Sequence, residues 1–312
     1  MKVFLPGGAG LVGLNLIALL RQQHPDWDLL VVDKKKEAID IGRSLFPDVN
    51  FLNEDLTHLH TAQWPEAIRD CQACVMLQAE IGNTDPTQFE RNNIRSTEIV
   101  LAQIEQTSIK RLVHISISVV NSVAADLYTQ TKREQEEIVR AAWSDAVVLR
   151  PTLMFGWFDR KHLGWLARFM KKSPLFPIPG SGRFIRQPLF VADFCQLIER
   201  CLVNPSIQGV YDITGMEQVS YISLMRQLRQ AVGSHSWIIH LPIPLFSFLL
   251  RLWARISRQP AFTDSQLKAL TAGDEFEVID WPGIFDVSAT PLAEALRITY
   301  QDRRLSGLEM PF

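Results

Sequence analysis

The sequence predicts an α/β fold: a doubly wound parallel sheet followed by a smaller, mainly helical C-terminal unit. Three observations carry this. Short apolar runs alternate with helix-forming segments from residue 1 to about residue 150. A glycine-rich turn, Gly7-Gly8-Ala9-Gly10-Leu11-Val12-Gly13, joins the first run to the first helical stretch. Proline and glycine then cluster from Pro174 to Pro188, beyond which helical segments dominate. Such alternation implies parallel strands joined by crossovers, with helices on both faces.

The first element is Val3-Phe4-Leu5, a buried-strand run, and the second is the apolar stretch Leu11 to Leu20, so the glycines fall at a strand-to-helix turn. Gly7, Gly10 and Gly13 permit a tight turn, close approach of a pyrophosphate and close helix–strand packing, while Ala9, Leu11 and Val12 lie where the helix N-terminus offers free N–H groups. Leu29-Leu30-Val31-Val32 forms the next strand and ends in Asp33, twenty residues past Gly13, where an acid accepts hydrogen bonds from an adenosine ribose. The unit is a Rossmann-type βαβ dinucleotide site. Asp33 points to NAD, because a carboxylate repels a 2′-phosphate; Lys34-Lys35-Lys36 follow at once and leave NADP open.

Further strands are expected near 49–52, 73–78, 111–116 and 146–150. Parallel connection places the glycine turn, the end of the Cys74–Leu77 strand with Gln78, Ala79 and Glu80 behind it, Ser116 and Pro151 at one carboxyl edge, where ligands bind in such sheets. Gln78 and Ala79 are expected against the cofactor and Glu80 against substrate. Between the last two strands, Asp126 to Ala142 is rich in helix formers and carries Tyr128 and Lys132 four apart, on one helical face. An ammonium beside a phenol lowers a pKa of about 10 toward the range of efficient proton transfer. Tyr128 is therefore the expected acid/base, and Lys132 its partner and a contact to the nicotinamide ribose.

These motifs resemble the extended and atypical short-chain dehydrogenases/reductases, the NAD-dependent epimerase/dehydratase group that includes nucleotide-sugar epimerases. Asn53-Glu54-Asp55-Leu56 is similar to the group's adenine-contacting Asp-Leu, implying cofactor contacts at Asp55 and Leu56. Asp85-Pro86 with Asn93-Ile94-Arg95-Ser96-Thr97 resembles its D-P…N-x-x-G-T helix, with Ser96 in place of glycine. Lys110 to Ser116 matches its strand before the active site. Leu149-Arg150-Pro151-Thr152-Leu153-Met154-Phe155-Gly156 resembles its L-R-P…Y-G strand, which implies Pro151 beside the nicotinamide. Gly180 to Asp193 resembles a segment whose arginine, here Arg186, grips a substrate diphosphate through its planar fork. The group's third catalytic residue falls at Ser116 or Ser118, flanking Ile117, or at neither. Gln187-Pro188 and Leu241-Pro242-Ile243-Pro244 also resemble the NADPH-binding accessory subunit of respiratory complex I and its bacterial relatives, some of which bind cofactor without turnover. The ending Phe276 to Phe285 resembles reductases and epimerases of surface-polysaccharide synthesis.

The resemblance implies an NAD(P)-dependent epimerase or reductase acting on a hydroxyl or keto group of a nucleotide-linked sugar. The alternative is a non-catalytic NAD(P)H-binding structural or assembly protein. A dinucleotide-binding domain is expected at 1–152 with a return at 186–213, and a substrate-binding domain at 153–185 and 214–312. Helices are expected at 160–171, 220–232, 244–257 and 263–272. Trp143, Trp157, Trp165, Phe155 and Phe158 are candidate pocket lining or plain core.

Composition sets the outer bounds. The chain has 312 residues, 47% hydrophobic, with a net charge of −2, enough to bury a sizeable core and without the basic surplus that binds nucleic acid. Four cysteines and no signal peptide before Val3 fit a reducing cytoplasm. Cys71-Gln72-Ala73-Cys74 lacks a second matching pair, and His58 and His60 lack a third ligand, so no metal is expected. Ile243 to Trp253 is apolar yet too short to span a bilayer; packing into the small domain or a homodimer interface is favoured over a membrane surface.

Overall fold

The computed structural model describes residues 1–81, 85–118, 127–256, 267, 270–271, 276–302 and 305. Seven parallel strands form the main sheet: β1 (Lys2–Pro6), β2 (Asp28–Asp33), β3 (Asn50–Asn53), β4 (Ala73–Met76), β5 (Arg111–Ile115), β6 (Val147–Pro151) and, after a long excursion, β11 (Gly209–Ile213). Their order across the sheet is β11-β6-β5-β4-β1-β2-β3. Every pairing between them is parallel. The order reverses between β1 and β4, the switch point at which such sheets open a crevice.

Alternation along each strand feeds two apolar layers. Val3, Leu5, Leu29, Val31, Val75 and Val113 face one side, against α1 (Leu11–Gln23) and α8 (Val191–Val203). Phe4, Leu30, Val32, Cys74, Met76 and Leu112 face the other, with Val100 of α5 (Ser96–Ile104) and Val139 of α6 (Leu127–Ala142). Being buried on both faces, these strands read as near-continuous apolar runs. The remaining helices of this half are α2 (Lys36–Leu45), α3 (Trp64–Ala67) and α4 (Pro86–Phe89), the last running into a π-helical turn, Glu90–Arg95.

A third apolar cluster lies outside the sheet. It joins Phe155 of β7 (Met154–Phe155), Leu163 and Met170 of α7 (Leu163–Lys172), Phe176 of β8 (Leu175–Pro179) and Leu224 of α9 (Tyr221–Ala231). Leu292 and Leu296 of α12 (Leu292–Gln301) complete it. Three two-stranded pairings tie this region together: β7 with β10 (Leu189–Phe190), β9 (Ile185–Arg186) with β12 (Val219–Ser220), and β8 with β13 (Trp237–Leu241). α11 (Trp281–Phe285) instead returns to the sheet, where Trp281 and Phe285 enter the α1–α8 layer and Trp281 donates to the Thr214 carbonyl at 2.9 Å. Asp193 of α8 accepts both the N–H and the hydroxyl of Thr290, at 2.8 and 2.6 Å, fixing the approach to α12.

On α10 (Ile243–Ile256), expected to pack into the small domain or a homodimer interface, Leu245, Phe248, Leu249 and Leu252 are exposed. The helix expected at 263–272 lies largely outside the described residues. No helix among the described residues is long and apolar enough to cross a membrane.

Candidate active site

The glycine turn leaves β1 at the switch point. Gly7 has φ +75°, and a Cβ there would stand 2.5 Å from the Gln78 backbone, so the turn lies directly against the chain leaving β4. At Gly13 a Cβ would come within 2.1 Å of the Gly8 carbonyl oxygen, so the first turn of α1 is pressed onto the loop. Gly10, the N-cap, is exposed, and the nearest atom to a Cβ there is the Gly7 oxygen at 3.8 Å. α1 has no side-chain cap and no acid in its first turn. Its N-terminal N–H groups and dipole therefore face an open approach over Gly10, Leu11 and Val12, the donor set a pyrophosphate needs.

Asp33, at the end of β2, accepts the Lys35 N–H at 3.0 Å and the N–H of Ala9 in the glycine turn. Burial pushes its carboxyl up, against these bonds and the neighbouring lysines. A carboxylate fixed beside the turn fits a dinucleotide's ribose, and with the open N-terminus of α1 it makes the residues fit an NAD molecule. Asp55 is more occupied. Its Oδ1 takes the Thr57 N–H and hydroxyl at 2.9 and 2.7 Å, and its Oδ2 pairs with Arg91 at 2.8 Å. Burial raises its pKa, but the Thr57 bonds and Arg91 outweigh it and hold the carboxyl below its ordinary value. Leu56 is core.

Past β4, Ala79 is exposed at the sheet edge. Glu80 is held from three sides: its N–H donates to Asn93 at 2.7 Å, its Oε2 accepts from Asn92 at 2.6 Å, and Lys34 stands 3.7 Å away. Asn92 and Asn93 belong to the π-helical turn, which turns both inward; Asn93 also donates to Thr131 of α6 at 2.9 Å. A network thus runs from the β2 loop to the helix carrying Tyr128 and Lys132.

Tyr128 is half-buried in the first turn of α6. Lys132 is 1% exposed, and its Nζ donates to the Ile115 carbonyl at the end of β5, at 2.8 Å, and to the side-chain Oε1 of Gln135. Gln135 passes the connection to Thr97 at 2.7 Å, beside Gln78. Burial pushes the Lys132 ammonium down to about 7, with Glu136 opposing. The sheet edge that ends in the glycine turn therefore also fixes Lys132.

The two candidate serines part company. Ser116 is 2% exposed and donates to Glu136 at 2.7 Å; Glu136 in turn takes Arg150 through both oxygens, at 3.0 and 2.6 Å. Its hydroxyl is thus part of a buried ion-pair network between β5, β6 and α6. Ser118 is 7% exposed, one residue beyond half-buried Ile117, at the border of the described segment. Pro151 closes β6 opposite Ile213.

Phe155 was expected as pocket lining or core. It is 1% exposed and packs on Phe190 with ring centroids 5.6 Å apart, where β7 pairs with β10 and brings this ring into the third cluster. Trp157 likewise packs on the main core and donates to the Ile298 carbonyl at 3.3 Å. Arg186 is half-buried on β9, opposite Val219, and lies electrostatically beside Tyr221 and His162. Burial holds His162 below its ordinary pKa, with Lys161 and Arg186 acting the same way against Asp159. Arg186 and Lys161 thus bring two positive charges to this neighbourhood against the one negative charge of Asp159.

The segment 156–162 carries charged side chains, at 159–162, to which the sequence motifs assign no role. It leaves β7, takes the Asn15 side chain of α1 on the Trp157 carbonyl at 2.8 Å, and reaches the exit of β4, where Lys161 donates to Ile81 at 3.1 Å. There Arg160 adds its charge beside Lys35. Only the density of charge in Asp159-Arg160-Lys161-His162, directly behind the L-R-P…G strand, could have signalled it.

All four cysteines are unbonded and buried; burial pushes the Cys71 thiol up to about 12 and that of Cys74 well above its ordinary value. No cluster of metal-ligating side chains occurs among the described residues.

Known proteins resemble this chain in sequence and in fold. The sequence profile of the NAD dependent epimerase/dehydratase family matches residues 3–213. A 4-hydroxy-2-methyl-3-oxo-4-farnesyl-3,4-dihydroquinoline-1-oxide ketoreductase of Stigmatella aurantiaca is 23% identical over 325 residues, covering 96% of this chain and 94% of that one. Subunit 9 of the NADH dehydrogenase [ubiquinone] 1 alpha subcomplex, mitochondrial, of Rattus norvegicus is 23% identical over 81% of this chain, which spans 65% of the rat protein's length. The crystal structure of UDP-glucuronic acid 4-epimerase from Bacillus cereus in complex with NAD superposes with a TM-score of 0.73 at 19% identity, over 96% of this chain and 98% of that one. At that identity the likeness speaks for the fold.

Proposed function

This chain belongs to the NAD-dependent epimerase/dehydratase family, and on that premise we propose that it is an NAD-dependent epimerase or reductase acting on a hydroxyl or keto group of a nucleotide-linked sugar. The observation that carries the reading is Lys132, buried and bonded to the last carbonyl of β5, one helical turn from Tyr128 and on the sheet edge that bears the glycine turn. NAD, when bound, supplies the hydride acceptor. The N-terminus of α1 with Gly7, Gly10 and Gly13 holds the pyrophosphate, Asp33 and Lys34 the adenosine end, and Gln78, Ala79, Lys132 and Pro151 the nicotinamide end. Tyr128 moves the proton at the reacting oxygen, and Lys132 beside it favours the phenolate. Ser118 is the third catalytic residue, because the Ser116 hydroxyl is committed to Glu136. Arg186, with Lys161 and His162 near it, anchors the substrate's diphosphate.

The cluster around Phe176 and Leu224 serves as the substrate-binding unit against the dinucleotide-binding sheet. Buried, unbonded cysteines support a reducing compartment, the cytoplasm. Surface-polysaccharide synthesis is the setting that the sequence resemblance implies. The likeness to the rat complex I subunit favours a second reading, a dinucleotide-binding assembly protein without turnover.

One experiment separates them: NMR of the protein incubated with UDP-, GDP- and dTDP-sugars and each oxidised and reduced cofactor. The enzyme reading expects one sugar to change, and Tyr128→Phe to cut turnover by roughly 10²- to 10⁴-fold while dinucleotide affinity stays. Dinucleotide binding with every sugar and cofactor unchanged would assign the second reading.

A further inference from the structure

On α10, Leu245, Phe248, Leu249 and Leu252 are 45, 62, 44 and 45% exposed. Their i, i+3, i+4, i+7 spacing puts them on one helix face. Phe246 and Leu250, on the other side, are half-buried. The helix is therefore seated through one apolar face while a second apolar face meets water, an arrangement that marks an interaction surface rather than chance exposure. β13, which leads into α10, carries the most exposed large apolar side chain described, Trp237, at 72%. It pairs with half-open Leu175, just behind exposed Lys171 and Lys172 of α7.

Charge decides what covers this face. From Gln218 to Ile256, the last described residue of α10, the sequence holds four arginines (226, 229, 251, 255) and no aspartate or glutamate, whereas the whole chain carries −2. A second copy docked by two-fold symmetry would set this acid-free stretch against itself. An anionic lipid surface complements it. An apolar stripe with arginines on the same helix is the composition of helices that lie in the headgroup region, and the strand leading into this one carries an exposed tryptophan. At 14 residues α10 is too short to span a bilayer, so it lies along the surface.

We propose that α10 docks this protein on an anionic membrane surface, with Leu245, Phe248, Leu249 and Leu252 entering the interface. The test is co-sedimentation of the full chain with vesicles of phosphatidylcholine alone and of phosphatidylcholine mixed with phosphatidylglycerol, at low and high salt. Sedimentation is expected with the mixed vesicles, weakened by salt, and reduced roughly tenfold or more in Phe248→Glu and Leu252→Glu. Both variants should keep the wild-type melting temperature and NAD affinity, since these side chains point to water. Failure to sediment with the mixed vesicles, or equal sedimentation of the variants, overturns the proposal. A dimer that Phe248→Glu dissociates, without vesicle binding, assigns the face to a second copy and overturns it too. NAD titration on the same samples reads the dinucleotide site independently, so loss of docking and loss of the proposed function are distinguishable.

Discussion

The hydroxyl of Ser116 satisfies Glu136 inside a network that also holds Arg150, and Arg150 lies 3.7 Å from Asp212 of β11. Removing it leaves a buried carboxylate one donor short, which costs about 1–3 kcal/mol. Ser116→Ala should therefore lower stability by that order in denaturant titration while keeping most turnover. Ser118→Ala should melt like the wild type and lose turnover instead; the reverse pattern would move the third catalytic role to Ser116. The four-residue spacing of Tyr128 and Lys132 was enough to put both on one helical face. That the Lys132 ammonium would be tied to Ile115 and Gln135 was not legible, because its partners are a strand carbonyl and a side chain that meet only through tertiary packing. The choice between Ser116 and Ser118 was hidden for the same reason: Glu136 lies twenty residues on, and no local pattern announces that its oxygens turn toward β5.

At the scale of the element, the glycine turn separates two requirements that the motif writes with one letter. A Cβ at Gly13 would collide with the Gly8 carbonyl, whereas at Gly10 it would meet nothing closer than 3.8 Å, and Gly10 has an ordinary extended backbone. Gly13→Ala should push α1 off the turn and lower both melting temperature and dinucleotide affinity. Gly10→Ala should leave melting unchanged and lower affinity alone, by intruding where a phosphate approaches; calorimetry with thermal denaturation distinguishes them. The long elements were legible because each is an apolar run or an amphipathic stretch of sufficient length. Strands expected at 2–5 and 29–33 appear at Lys2–Pro6 and Asp28–Asp33, and the helix expected at 126–142 at Leu127–Ala142. Two-residue strands such as Met154–Phe155 and Ile185–Arg186 carry no periodicity, so the pairings that bury Phe155 and orient Arg186 could not be read. The π-helical turn escaped too, since its sequence, Glu-Arg-Asn-Asn-Ile-Arg, is as compatible with an ordinary helix.

Across the whole molecule, one buried histidine couples stability to pH. His114 of β5 is fully buried with neither ring nitrogen hydrogen-bonded among the described residues; burial, with Lys132 beside it, holds it well below its ordinary pKa. Below about 6.5 the unfolded chain takes up protons that the folded one refuses, so stability is whole above that pH and falls as the pH drops further. The melting temperature should decline from pH 7 to pH 5, and His114→Leu should flatten the decline; an equal slope in the variant would assign it to other groups. The order of the sheet also has a consequence in time. β6 receives its outer neighbour only when β11 arrives, 62 residues later by the difference between Pro151 and Ile213. At a translation rate of about 5–20 residues per second, a nascent chain holds β6 as an open edge for roughly 3 to 12 seconds. Through that interval an apolar strand is free to pair with another ribosome's product, so faster synthesis of this excursion or chaperone cover, rather than any change to the finished fold, governs how much of this protein a cell recovers intact.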